Sequence, residues 1–104
     1  MMITVVEAKV AEENWPLLEQ AYRQGPQQLP PGLERSFLVH SLENRGQWQI
    51  ISVWSGMPSL QKLQQSIESG VIPRGVLIFR EAGAEPTHTV YEVVQERASS
   101  QAAS

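Results

Sequence analysis

The chain has no cysteine. A disulfide framework and any thiolate metal site are therefore excluded, and a reducing compartment suits it. Charge is sparse: eight Lys and Arg stand against eleven Asp and Glu, for a net charge of -3 at pH 7. The basic residues are scattered singly, so no cationic patch is available to a nucleic acid. No apolar run approaches the roughly 20 residues that a membrane helix needs. The first residues pass directly into a β-rich stretch, without the basic leader and small-residue cleavage site of a secretory signal. Together these absences predict a cytoplasmic protein with neither a nucleic-acid nor a membrane partner. The two histidines, His40 and His88, do not stand at a metal-ligand spacing, so no metal site is expected. A Gly-rich phosphate loop, a Gly-x-Ser-x-Gly elbow and internal repeats are also missing.

What is present suits one domain. The chain is 104 residues long and 41% hydrophobic, enough for a single core without staples. Residues 3–10 are β-rich and apolar on both parities: Ile3 and Val5 on one, Val6, Ala8 and Val10 on the other. The period then becomes helical. Trp15, Leu18 and Tyr22 share a face, Asn14 and Pro16 mark the start, and Gly25-Pro26 marks the end. A proline-rich loop leads to a strand over 33–42, with Leu33, Phe37 and Val39 on one side and Leu38, His40 and Leu42 on the other. A turn at 43–46 and a return strand over 48–54 follow. On that strand Trp48, Ile50 and Trp54 oppose Ile51 and Val53. Leu60, Leu63 and Ile67 give a second helix its apolar stripe, and Gly70 ends it. Residues 73–83 predict a further short helix stopped at Gly83, and residues 87–95 a last strand. The final eight residues, 97–104, lack any large apolar group and are expected to be a disordered tail to a domain spanning 1–96.

This order predicts an α+β, ferredoxin-like split β-α-β fold: a four-stranded antiparallel sheet with its helices on one face. Helices on one side leave the other side uncovered, yet the strands are apolar on both. A second copy of the same sheet covers it most simply, so a homodimer is expected.

The chain resembles the antibiotic biosynthesis monooxygenase (ABM) domain family of the dimeric α+β barrels. The resemblance is carried by the first strand near the N-terminus, Pro31-Gly32 opening the second strand, the hairpin ending at Trp54, Trp-Ser-Gly-Met-Pro-Ser-Leu at 54–60, and Gly83-Ala-Glu-Pro86 before the last strand. It extends over about residues 3–95. It implies a cavity between sheet and helices, and either cofactor-independent oxygenation of a quinol or polyphenol or degradation of haem. The haem-degrading branch uses a His on the second helical segment, an Asn on the first strand and a Trp ending the third strand. Trp54 matches the last. No His lies between Ser41 and Thr87, and the first strand carries Glu7 and no Asn, so no haem or other cofactor is expected.

Two functions follow as expectations: a cofactor-independent oxygenase acting on an aromatic or quinol-type molecule, and a non-catalytic small-molecule binding or regulatory dimer. For the first, His40 is the candidate base, since an imidazole titrates near neutrality. Trp54 is the candidate cavity wall, with Phe37, Tyr22, Leu63 and Phe79 around it. Each has a plainer alternative: a core tryptophan, an edge histidine, an aromatic that merely packs. Glu7 is either an inward acid, a partner for Arg35 or Arg80, or an outward residue. His88 is expected near a loop and exposed.

Overall fold

The computed structural model describes residues 1–24, 32–55 and 74–98. The expected second helix, with Leu60, Leu63 and Ile67, lies outside the described residues, as does the tail from residue 99. The described elements are β1 (Met2–Lys9), a 3-10 turn (Glu12–Asn14), α1 (Trp15–Arg23), β2 (Leu33–His40), β3 (Gln47–Trp54), α2 (Arg74–Glu81) and β4 (Thr87–Glu92). The four strands form one sheet in the order β2-β3-β1-β4, with every neighbouring pair antiparallel. This is the expected ferredoxin-like α+β arrangement, and the stretch after residue 73 forms the expected short helix. No helix among the described residues is long and apolar enough to cross a membrane.

Local chemistry explains the element ends. Pro16 occupies the first turn of α1, where its missing N–H costs nothing. Gly83, at φ +78°, closes α2. The Gly83 N–H bonds the Arg80 carbonyl and the Ala84 N–H bonds the Phe79 carbonyl, each at 3.0 Å. That pair is the Schellman ending, which needs a left-handed residue and so favours glycine. In the hairpin, Ser41 Oγ accepts the backbone N–H groups of Glu43 and Asn44, at 3.2 and 3.0 Å.

The strands alternate, and one face carries the core. Val6, Ala8, Trp48 and Ile50 meet Leu18 and Ala21 of α1 and Ile78 and Phe79 of α2. Leu18 and Phe79 are fully sealed, a burial that stabilises by about 1.5–3 kcal/mol per side chain. A smaller cluster, Met2 and Trp54 with Leu33 against them, closes the other end of this face. Ile3, Val5, Glu7, Ile51 and Val53 point to the outer face and are half-buried.

One expectation about β2 is corrected. Alternation alone puts Leu33 beside Phe37 and Val39. The β2–β3 register slips between Leu33 and Arg35: Leu33 sits opposite Trp54, while Arg35 sits opposite Val53. A bulge adds a residue on one strand only, so the face of Leu33 reverses. It packs on the helix side, while Phe37, opposite Ile51, stays outside.

Candidate functional site

Three small hydroxyl side chains interrupt the apolar helix face. Thr4 pairs with Ser52 across β1 and β3, and Ser52 pairs with Ser36 across β3 and β2. Paired residues point to the same side, so the three form one row across the sheet, roughly 10 Å long at the usual strand spacing. The row lies between Val6, Ile50 and Leu38 on one side and Met2 and Trp54 on the other. Thr4 is 4% exposed. Ser36 and Ser52 are only half-buried, though Ile50 and Trp54 flanking Ser52 are sealed. The row is thus half-open at Ser36 and Ser52 and sealed at Thr4.

Two aromatic side chains fasten its ends. The Trp54 indole N–H donates to Thr4 Oγ1 at 3.1 Å. The Tyr22 hydroxyl, from α1, donates to Ser36 Oγ at 2.9 Å. A hydroxyl on an apolar face costs energy unless it is bonded, and these bonds meet that cost for Thr4 and Ser36. The row carries no charge. It offers oriented hydroxyls on a flat, mainly apolar wall, which suits a planar molecule bearing a few oxygens.

The predicted site residues divide. Trp54 and Tyr22 bond opposite ends of the row. His40 shares the face of Trp54 but belongs to the opposite end of the sheet: it pairs with Trp48, which begins the strand that Trp54 ends. That separation is roughly 20 Å along an extended strand. His40 instead joins an aromatic knot, its ring centroid 4.6 Å from Trp48 and 5.8 Å from Trp15. The Trp15 indole donates to the Val10 carbonyl at 2.9 Å. His40 Nδ1 and Trp48 Nε1 are buried and find no partner among the described residues. Phe37, expected in the cavity, is on the outer face and 44% exposed, because side chains on a strand alternate and its register partner is Ile51. Phe79, on the inner side of α2, is wholly buried and belongs to the core. Leu63 lies outside the described residues.

Glu7 faces outward. Both Gln47 and Gln49 donate side-chain amides to its carboxylate, the latter at 2.9 Å. Neither Arg35 nor Arg80 is its partner; Arg80 pairs with Glu85 at 2.9 Å in an exposed contact. An open recess of about 290 Å³ beside these glutamines is lined by Val39, His40, Ser41, Gln47 and Gln49. His88 is half-buried and not exposed as expected, and that burial holds its imidazole below its usual pKa. No group of three metal-ligating side chains occurs among the described residues.

Thr4, Ser36 and Ser52 were missed in the sequence. A signal existed: each sits on the apolar parity of its strand, as in Met2-Thr4-Val6-Ala8 and Trp48-Ile50-Ser52-Trp54.

No family model matches the sequence, and no curated protein does. Solved structures do match. MhuD of Mycobacterium tuberculosis, a haem degrader seen with two haems in its active site, is 18% identical with a TM-score of 0.63, covering 94% of this chain and 100% of that one. SnoaB of Streptomyces nogalater, a cofactor-independent oxygenase, is 16% identical with a TM-score of 0.59, covering 91% and 94%. A protein named antibiotic biosynthesis monooxygenase is 15% identical with a TM-score of 0.56, covering 91% and 100%. The fold is that of the ABM proteins, over nearly their whole length. His40 packs against Trp15 and Trp48, and the sequence from Leu42 to Pro86 has no His.

Proposed function

We propose that the protein binds a flat aromatic or quinol-type small molecule against the helix face of its sheet and oxygenates it without a cofactor, as a cytoplasmic homodimer. The observation that carries this reading is the hydroxyl row of Thr4, Ser52 and Ser36, half-open at its two serines, set in an apolar face between Trp54 and Tyr22. A fold does not determine a reaction. The likeness to SnoaB supports the reaction class, and the row supports the ligand class.

In such a reaction the substrate supplies the electrons. An activated ring CH2 loses a proton, its carbanion reduces oxygen, and the resulting hydroperoxide loses water to leave a carbonyl. One oxygen atom stays on the substrate and the other leaves as water, so no external reductant is needed. The protein binds, orients and excludes solvent. His40, at the far end of the sheet, is too distant to take the proton from a molecule lying at Trp54. The row itself holds no basic side chain among the described residues. A substrate acidic enough to ionise near neutral pH fits this arrangement.

The homodimer is supported by the outer face. Ile3, Val5, Val39, Ile51 and Val53 lie there half-buried, with Phe37 and Tyr91 exposed beside them. An apolar face of this kind suits a self-complementary contact.

One other reading stands beside it: a dimer that binds the same molecules without reacting, which needs no base at the row. Anthrone separates the two. Oxygen uptake above the protein-free rate, with one anthraquinone formed per oxygen consumed, supports the oxygenase. Saturable binding with uptake at the protein-free rate supports the binder. Absence of binding refutes both.

A further inference from the structure

The outer face of the sheet is ordered in rows. Strand register places Arg35, Val53, Ile3 and Tyr91 side by side across β2, β3, β1 and β4. The next row along is Phe37, Ile51, Val5 and Thr89, and the third is Val39, Gln49, Glu7 and Thr87. Residues paired across strands point to one side, so all three rows lie on the face away from α1 and α2. The first two are apolar at their centre. The third carries Glu7, a half-buried carboxylate that accepts from the side-chain amides of Gln47 and Gln49. One end of the face is therefore apolar and the other polar.

Two aligned stackings lay this face on a copy of itself about a two-fold axis. An axis across the strands sets opposite ends together. Val53 and Ile3 of one protomer then cover Gln49 and Glu7 of the other, and the carboxylate loses water against apolar side chains, which is costly without a charged partner. An axis along the strands, between β3 and β1, sets like ends together. Val53 then faces Ile3, Ile51 faces Val5 and Gln49 faces Glu7: apolar meets apolar, and amide meets carboxylate. The same rotation carries β2 over β4, so Arg35 faces Tyr91, a guanidinium over an aromatic ring. The two Glu7 carboxylates stand diagonally across the axis, each held by two amides of its own protomer. We infer that the outer face is the interface for a second copy of this chain, stacked like end on like end, with Glu7 opposite Gln49 and Arg35 opposite Tyr91 of that copy. This rests on the homodimer proposed above and gives its orientation. The apolar rows supply the contact, and the polar row excludes the reversed stacking.

The chain has no cysteine, so introduced thiols report position without background. The test treats full-length Arg35→Cys/Tyr91→Cys with a short bismaleimide and reads the product on a denaturing gel, with sedimentation velocity giving the native mass. Both positions are exposed, so the fold should tolerate the changes. Within one protomer they stand three strand spacings apart, roughly 14 Å, and an internal link would leave the mass of one chain. The double variant is expected to run mostly at the mass of two chains, and each single variant at the mass of one. Phe37→Cys/Thr89→Cys, on the next row, should behave alike and serves if the first pair dissociates the dimer. The reversed stacking would instead link Arg35→Cys/Val39→Cys, and an orthogonal stacking sets one corner on its own copy and would link a single variant. Either pattern, or a dimer in which neither double variant is linked, overturns the inference and leaves the homodimer standing. A wild type that sediments as a monomer sinks the homodimer and the inference together.

Discussion

Replacing Gly75 by alanine sets two effects of known size against each other. Gly75 lies in the first turn of α2, where the helix crosses β1. A Cβ built there would come to 3.0 Å from Val6 Cγ2 and 3.4 Å from Val6 Cβ. Alanine favours a helix interior over glycine by about 0.5–1 kcal/mol, less in a first turn. Overpacking a tight core contact costs about 1–3 kcal/mol. Val6 is 5% exposed and wedged in the main cluster, so it has little room to yield. The clash should win, with a net loss of about 1–2 kcal/mol. For a domain of this size that lowers Tm by roughly 4–8 °C per kcal/mol. Urea melts of Gly75→Ala, Val6→Ala and the double variant make the reasoning specific. Val6→Ala alone should lose stability through its cavity. In the double variant the new methyl enters that space, so its loss should be smaller than the sum, with a coupling of about 0.5 kcal/mol or more. Val6 adjoins Thr4 on the same face, so a shift of α2 would also disturb the hydroxyl row, and quinone affinity should fall with stability. A Gly75→Ala variant more stable than wild type, or strictly additive losses, would show that α2 does not press on β1.

Three further outcomes are expected. His40→Phe keeps the ring stack with Trp15 and Trp48 and removes a buried Nδ1 without a described partner, so stability should rise by about 1 kcal/mol with anthrone turnover unchanged; a lower Tm by thermal melting would mean that this nitrogen is satisfied. Val53→Asp places a charge on the outer face and should give a folded monomer by light scattering, whereas Ile50→Asp buries its charge in the core and should unfold the chain; a Val53→Asp dimer would put the interface elsewhere. Burial lowers the folded-state pKa of His88, so the unfolded chain takes up its proton first. That contribution to stability is complete above the usual imidazole value of about 6.5 and is lost as pH falls through it and the lower folded value. His88→Gln should flatten the urea-melt stability profile between pH 7 and pH 5, and an unaltered slope would refute the assignment.

The elements were legible in the sequence because their signals are local. Pro16 at a helix start, Gly83 at a helix stop and the alternation of Trp48, Ile50, Ser52 and Trp54 each act within a few residues. The site was not, because it depends on register. Thr4, Ser36 and Ser52 are unremarkable one at a time, and only the pairing of three strands draws them into line. The bulge after Leu33 shows how fragile such reasoning is: one extra residue moves Leu33 across the sheet while Phe37 keeps its place. His40 and Trp54 show the opposite failure. The register of the hairpin puts them on one face, but a shared face is not a shared site when they stand at opposite ends of β3. The usable clue was energetic. A small polar residue on an apolar parity is costly unless something bonds it, and three such residues in three strands call for partners. Tyr22 and Trp54 answer at the ends of the row. The half-buried Ser36 and Ser52 leave that part of the row open to a molecule bearing polar oxygens.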